Sequence, residues 1–244
     1  METAGFIEVL RREGLLLADT ADRAGLDAPV PPCPGWRVRD LVRHTGAVHR
    51  WATGFVAEGR KEPGAFDDSA PGDAELTRWY RERLEELVDA LGAAPQDLEC
   101  WYFLRAPSAL AFWSRRQAHE VTVHRADAQA ALGDPISPVD ADFASDGVDE
   151  LLSGFHGRRH SKLRTPHPGT LRVRATDTGA DWLMRLSPQS PVIEPGAGGH
   201  ADCTVSGTAA ELYVALWNRT PGESLTVEGD AALLEAFRRT GAIN

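Results

Sequence analysis

Hydrophobic spacing is the feature that most restricts how this chain can fold. From residue 1 to about 157, apolar side chains recur at three-, four- and seven-residue intervals, and near residue 158 the pattern stops. Phe6, Val9, Leu10, Leu17 and Ala21 mark one face of a first helix, and Gly14 on that same face weakens it. A second helix is expected from about Trp36 to Glu58, through Val38, Leu41, Val42, Thr45, Ala52, Phe55 and Val56. A third runs from Asp73 to Leu91, with Asp73 as its N-cap and Gly92 as its C′ residue. A fourth covers about Ser108 to Leu132, stopped by Gly133 and Pro135, and a shorter fifth about Asp140 to Phe155. Four long amphipathic helices must bury their stripes on one another, and a bundle is the simplest solution.

After residue 158 the spacing becomes that of strands. The basic run Arg158 to Arg164, followed by Thr165-Pro166-His167-Pro168-Gly169, reads as a solvated linker rather than an anion site. Leu171 to Ala175 and Trp182 to Leu186 alternate across a Gly-containing turn, which predicts a hairpin. Cys203 to Gly207 and Leu225 to Asp230 read as further strands, with helices over Thr208 to Trp217 and up to Phe237. The chain therefore divides into a helical domain, 1–157, and a smaller α+β domain, 165–244.

Composition narrows the function. With 42% apolar and 25% charged residues the chain is a foldable globular mixture. The net charge of −10 argues against a nucleic-acid partner. No apolar run approaches the roughly 20 residues of a membrane span, and the acids of the N-terminal METAGFIEVLRREG do not suit a signal peptide. Cys33, Cys100 and Cys203 are far apart and odd in number, a poor disulfide framework, so a cytoplasmic protein is expected. Of 26 basic residues only Lys61 and Lys162 are lysine, which points to a GC-rich coding genome. No G-x-G-x-x-G and no G-x-S-x-G is present, so neither a dinucleotide fingerprint nor a serine-hydrolase elbow is expected.

The stretch Trp113 to Asp127 carries the chemistry. His119-Glu120 opens like an H-E-x-x-H zinc motif, but position 123 is Val. The pair four apart is Glu120 and His124, which share one helix face with Cβ atoms about 6 Å apart. Trp113, Arg116, Asp127 and Ala131 continue that stripe, so the face presents charge where a bundle helix would bury leucine. The pair is either an ordinary helical charge pair or two ligands of one divalent metal. Bundles build metal sites from facing helices, and His44 on the second helix would complete a two-histidine, one-carboxylate set. That set suits catalytic Zn²⁺ and equally non-haem Fe²⁺. His49 and His119 are expected to be surface or structural, and Arg116, Arg125 and Asp127 either groups that fix the ligands or surface residues.

Two blocks of this sequence resemble the mycothiol-dependent maleylpyruvate isomerase family. One is Val30-Pro31-Pro32-Cys33-Pro34-Gly35-Trp36-Arg37-Val38-Arg39-Asp40-Leu41-Val42-Arg43-His44. The other is Arg116-x-x-His119-Glu120-x-x-x-His124-Arg125-x-Asp127, followed by Asp146-Gly-Val-Asp-Glu-Leu-Leu152. The resemblance covers nearly the whole chain. It implies a DinB-like four-helix bundle followed by a small sterol-carrier-like α+β domain. It implies zinc, or another divalent metal, held by His44, Glu120 and His124, and mycothiol as thiol cosubstrate. The range of mycothiol would make the source actinobacterial, as the arginine bias suits. It also implies that an arginine of the second domain, matched here by Arg219 in Ala-Leu-Trp-Asn-Arg, serves an anionic substrate; a helix C-terminal cation is the competing role. The family usually carries Ser or Thr after the Trp of the first block. Here the residue is Arg37, so a capping box with Asp40 is not expected.

An open metal position can bind and deprotonate a thiol. None of the three cysteines sits in a Cys-x-x-Cys pair, so an outside thiol is the expected nucleophile. The resulting expectation is an isomerase or S-transferase using a low-molecular-weight thiol and a small anionic electrophile, as a monomer or homodimer. Two alternatives stand beside it: a metal hydrolase or amidase on the same bundle, and a non-enzymatic protein whose second domain holds an apolar ligand.

Overall fold

The computed structural model describes residues 1–196 and 198–240. It separates into two compact units, Met1–Ser137 and Pro138–Asn244. Among the described residues no helix is long and apolar enough to cross a membrane.

The first unit is a four-helix bundle: α1 (Thr3–Ala24), α2 (Val38–Glu58), α3 (Asp73–Ala93) and α4 (Ala109–Leu132). Helix α1 packs chiefly on α4 and α2 chiefly on α3. The expected stripes face inward, with Leu10, Leu17, Leu41, Phe55, Leu76, Tyr80, Leu87 and Trp113 all buried. Gly14 marks a close approach, since a Cβ there would lie 2.5 Å from Leu84 Cδ2. The Tyr80 hydroxyl also donates to the Gly14 carbonyl at 3.1 Å. Ser108 caps α4 through the Ala111 N–H, and Gly133 closes it in the left-handed conformation.

Helix ends differ from expectation at two places. Helix α3 starts with Asp73 already inside it and continues past Gly92 to Ala93. At α2, half of the capping box is present after all: the Asp40 carboxylate accepts the Arg37 N–H at 2.9 Å. Arg37 has no acceptor in its side chain, so the reciprocal half is missing. Its guanidinium turns instead to the Asp27 carbonyl.

The second unit is α+β. Helix α5 (Ala141–Asp149) runs into a π-helical turn, Glu150–His156. Strands β1 (Gly169–Ala175) and β2 (Asp181–Leu186) form the expected hairpin, with Val173 opposite Trp182. Strand β3 (Val192–Pro195) pairs with β2, β4 (Cys203–Gly207) runs parallel to β1, and β5 (Thr226–Gly229) pairs with β4. The sheet order is β3-β2-β1-β4-β5. Helices α6 (Ala209–Leu216) and α7 (Ala231–Thr240) complete the unit.

The division falls at Ser137, not after 157 as the change of periodicity suggests. The fifth helical stripe has its partners in the α+β unit. Phe143 packs edge-on to Tyr213, Phe155 meets Trp217, and the Trp217 indole donates to the Gly147 carbonyl. The basic run at 158–164 therefore lies inside this unit. Leu163 within it is fully buried, and Arg164 donates to its own neighbour's carbonyl and to Ser190.

Candidate metal centre

Helix α4 is buried on nearly every face, including its polar residues Arg116, His119, His124, Arg125 and Asp127. A buried charge is costly unless paired; Arg116 pairs with Glu120, His124 with Glu120 and Asp127, and Arg125 with Glu13. Arg125 donates to Glu13 of α1 and to Gln129, both at 2.7 Å. That pair ties α4 to α1. Of the three residues expected either to fix the ligands or to lie at the surface, all are buried; Arg116 and Asp127 contact Glu120 and His124, whereas Arg125 contacts Glu13 and Gln129.

His44 from α2 meets Glu120 and His124 from α4, and one donor atom from each lies within 4.8 Å of the other two. Glu120 Oε1 is 3.2 Å from His124 Nε2 and 3.5 Å from His44 Nε2. Donors about 2.0–2.1 Å from a tetrahedral zinc stand about 3.3 Å apart, so these two separations fit the ion. The donor chemistry fits as well, two imidazoles and one carboxylate. His124 Nδ1 bonds to Asp127 Oδ2 at 2.8 Å. With Nδ1 engaged by Asp127, Nε2 is the ring atom that points to Glu120, the orientation that a carboxylate gives to a metal-binding histidine.

Electrostatics follow from this crowding. Burial disfavours a charged Glu120, but Arg116 and the hydrogen bonds from His124 and His44 outweigh it and hold its carboxyl well below the usual range. Burial likewise opposes a charged His124, yet Asp127 and Glu120 push its pKa up to about 9.

Aromatic rings surround the cluster. The Trp36 ring lies 5.1 Å from His44 and stacks at 6.3 Å over His124, while Phe66 lies 6.1 Å from His44. The His44 side chain keeps 32% of its surface exposed and His124 only 10%, so solvent reaches the cluster on the α2 side. Cys33 reaches the same place, with Sγ 3.5 Å from Asp127 Oδ2.

His49 and His119 are both fully buried, so of the two expected roles the surface one falls away. Neither ring nitrogen of His49 has a hydrogen-bond partner within the protein, and the ring packs on Tyr80 at 5.4 Å. Burial pushes its pKa down to about 3; Glu120 opposes this while His124 and His44 add to it. The unfolded chain takes up that proton near pH 6.5, the folded chain only near 3. His49 thus costs stability as the pH falls from 6.5 toward 3, by about 1.4 kcal/mol per pH unit. His124 contributes no slope in that window, because it is protonated in the folded state throughout and its contribution is already complete. His49→Phe is expected to flatten the acid side of the stability curve of metal-free protein. Thermal melts of both proteins from pH 4 to 7 check this, and parallel curves would refute it.

Arg219 lies in the second unit just beyond α6, after Asn218, whose φ of 60° is left-handed. Its guanidinium donates to the Trp217 carbonyl at 2.7 Å, a contact suited to a helix C-terminus.

Two imidazoles and a carboxylate gathered from facing helices, carried in one chain with a small α+β unit, are the donor set from which helical bundles can build a metal site. The comparisons give the chain a family. The profile of the mycothiol maleylpyruvate isomerase N-terminal domain matches residues 8–129, and that of the family's C-terminal domain matches residues 142–236. The chain belongs to the mycothiol-dependent maleylpyruvate isomerase family. Among solved structures it is similar to the mycothiol-dependent maleylpyruvate isomerase, with a TM-score of 0.64, 13% identity and 93% of each chain covered. A histidine-to-alanine mutant of that enzyme matches equally, with the same score, identity and coverage. No curated protein matches the chain.

Proposed function

We propose that this chain is a cytoplasmic, metal-dependent isomerase that uses mycothiol to interconvert the cis and trans forms of a small, anionic, conjugated electrophile of the maleylpyruvate type. The convergence of His44, Glu120 and His124 carries the reading, and family membership supports it. A divalent metal, Zn²⁺ by donor type, would supply a Lewis-acid position that makes thiolate available near neutral pH.

The chain's own groups do the rest. Asp127 holds the His124 ring and its tautomer, and Trp36 limits its rotation from the other side. Thiolate adds to the conjugated double bond, the resulting single bond rotates, and thiolate leaves, so no thiol is consumed. If the adduct were released instead, the same residues would make an S-transferase. Product analysis with metal-loaded protein, mycothiol and maleylpyruvate tests the reading. Fumarylpyruvate formed at constant thiol supports it, a stable S-conjugate identifies the transferase, and hydrolysis without thiol overturns both.

Arg219 enters this reading as the cation that pairs with the substrate carboxylate. A guanidinium offers a carboxylate two parallel hydrogen bonds, whereas an ammonium keeps the charge and loses the fork. Arg219→Ala is expected to lower kcat/KM roughly 10²-fold, the scale of one charge-stabilising donor, with metal content unchanged. Arg219→Lys should restore only part. Near-wild-type kcat/KM with a lowered Tm would show that the residue only closes its helix.

A further inference from the structure

The two oxygens of Glu120 face different partners. Oε1 points to Nε2 of both imidazoles. Oε2 accepts a hydrogen bond from Nη2 of Arg116, one helical turn earlier on α4. Arg116 is only 4% exposed. Its position relative to Glu120 does little for the helix itself, because an acid placed four residues after a base opposes the helix dipole and stabilises less than the reverse order. Burying a guanidinium also carries a desolvation penalty that a surface pair avoids. A helix gains little from such a pair, so its effect must be sought at the carboxylate.

Carboxylates bind cations through one oxygen or through both. A Glu120 free to rotate could turn both oxygens toward the imidazoles. The second oxygen would then take the position that a catalytic site leaves open for an incoming group. Resting on the metal reading above, we propose that Arg116 is a positioning residue that holds Glu120 as a one-oxygen donor and so keeps a coordination position free for the outside thiol. The assignment also accounts for the arginine itself. A lysine at the same place would bind as a compact point charge on a flexible stem, without the rigid planar guanidinium that directs an N–H at Oε2.

Cobalt reports this directly, because the intensity of its visible bands depends on how many donors surround it. Wild-type, Arg116→Gln and Arg116→Lys proteins are loaded with saturating Co²⁺ and titrated with 2-mercaptoethanol. Metal affinity of the variants is expected to fall roughly 10–100-fold, as for other residues that orient a ligand. At saturation, Arg116→Gln should show visible bands several-fold weaker than wild type, from a second carboxylate oxygen. Its affinity for the thiol, read from the thiolate charge-transfer band, should fall about tenfold. Arg116→Lys should lie between the two. Bands and thiol affinity equal to wild type in Arg116→Gln would overturn the proposal, as would loss of all Co²⁺ binding in both variants. Unchanged spectra with a raised KM for maleylpyruvate would also overturn it, by assigning Arg116 to the substrate. If wild type itself bound no Co²⁺, the metal reading would fall first, and this proposal with it.

Discussion

Replacing His124 with alanine is expected to remove the metal and, with it, the activity. His124 is the best-anchored of the three donors: Asp127 fixes its Nδ1, Trp36 stacks on its ring, and its Nε2 lies 3.2 Å from Glu120. Its removal leaves one imidazole and one carboxylate, too few for a zinc site, which takes at least three protein ligands. Metal content after dialysis should fall from about one ion per chain to less than a tenth of that. The drop in kcat/KM should exceed the roughly 10²–10³-fold cost of losing a single stabilising donor. His124→Gln should behave alike, because a carboxamide is a far weaker donor to zinc than an imidazole. His49→Phe should keep its metal, since His49 stands outside the donor set. Binding should also depend on pH in a definite direction. His124 titrates at about 9 in the metal-free protein, so at neutral pH the ion must displace a proton. Affinity should therefore rise with pH up to about 9 and level off above it. Elemental analysis and a chelator competition across that range check both statements. Full metal content in His124→Ala would show that the donors were misassigned.

The parts of this molecule that the sequence revealed are those written in local spacing. The bundle helices are periodic in leucine and valine, and Glu120 and His124 are neighbours on one turn, so both were accessible without coordinates. Gly14 was legible only as a weak point, because nothing nearby in sequence tells of Leu84 pressing against it. The same limit explains the misplaced boundary. The stripe through Phe143, Val148 and Phe155 announces a buried helix but not what buries it, and its partners Tyr213 and Trp217 come some 70 residues later. Strand β3 was missed because Val-Ile-Glu-Pro is short and ends in proline, which suits an edge strand and weakens any strand pattern. At the site, His44 followed from the need for a third donor on a facing helix and was matched by the resemblance, while the supporting contacts stayed hidden. Cys33 reaches Asp127 across 94 residues and Arg125 reaches Glu13 across 112. Phe66 sits in an irregular loop with no periodicity at all. Such pairings are set by tertiary packing, and no local pattern encodes them.

Metal-loaded protein is expected to show no isomerisation above background until a low-molecular-weight thiol is added. The argument rests on the state of the protein's own thiols. Cys100 and Cys203 are buried, and burial pushes both pKa values up, which leaves them protonated and unreactive. Cys203 lies on β4 in the second unit, in the interior of a sheet, where an electrophile has no approach. Cys33 is more accessible, but its thiol is engaged with the Asp127 carboxylate. It is also not among the donors that converge with His44. Two of the three thiols are thus buried and protonated, and the third is already bound to a carboxylate. Mycothiol at millimolar concentration should restore turnover by more than ~10²-fold, because positioning and activating a nucleophile commonly contribute at least that much. A triple variant with Cys33, Cys100 and Cys203 replaced by serine should keep the mycothiol-dependent rate if it folds. Its refolding is checked by thermal melt, and the single variant Cys33→Ser offers the same test with the core untouched. Glutathione should restore less than mycothiol if the site recognises more than the thiol group. Full turnover of the wild type in thiol-free buffer, retained in Cys33→Ser, would show that water rather than thiolate is the nucleophile, and would make this bundle a hydrolase.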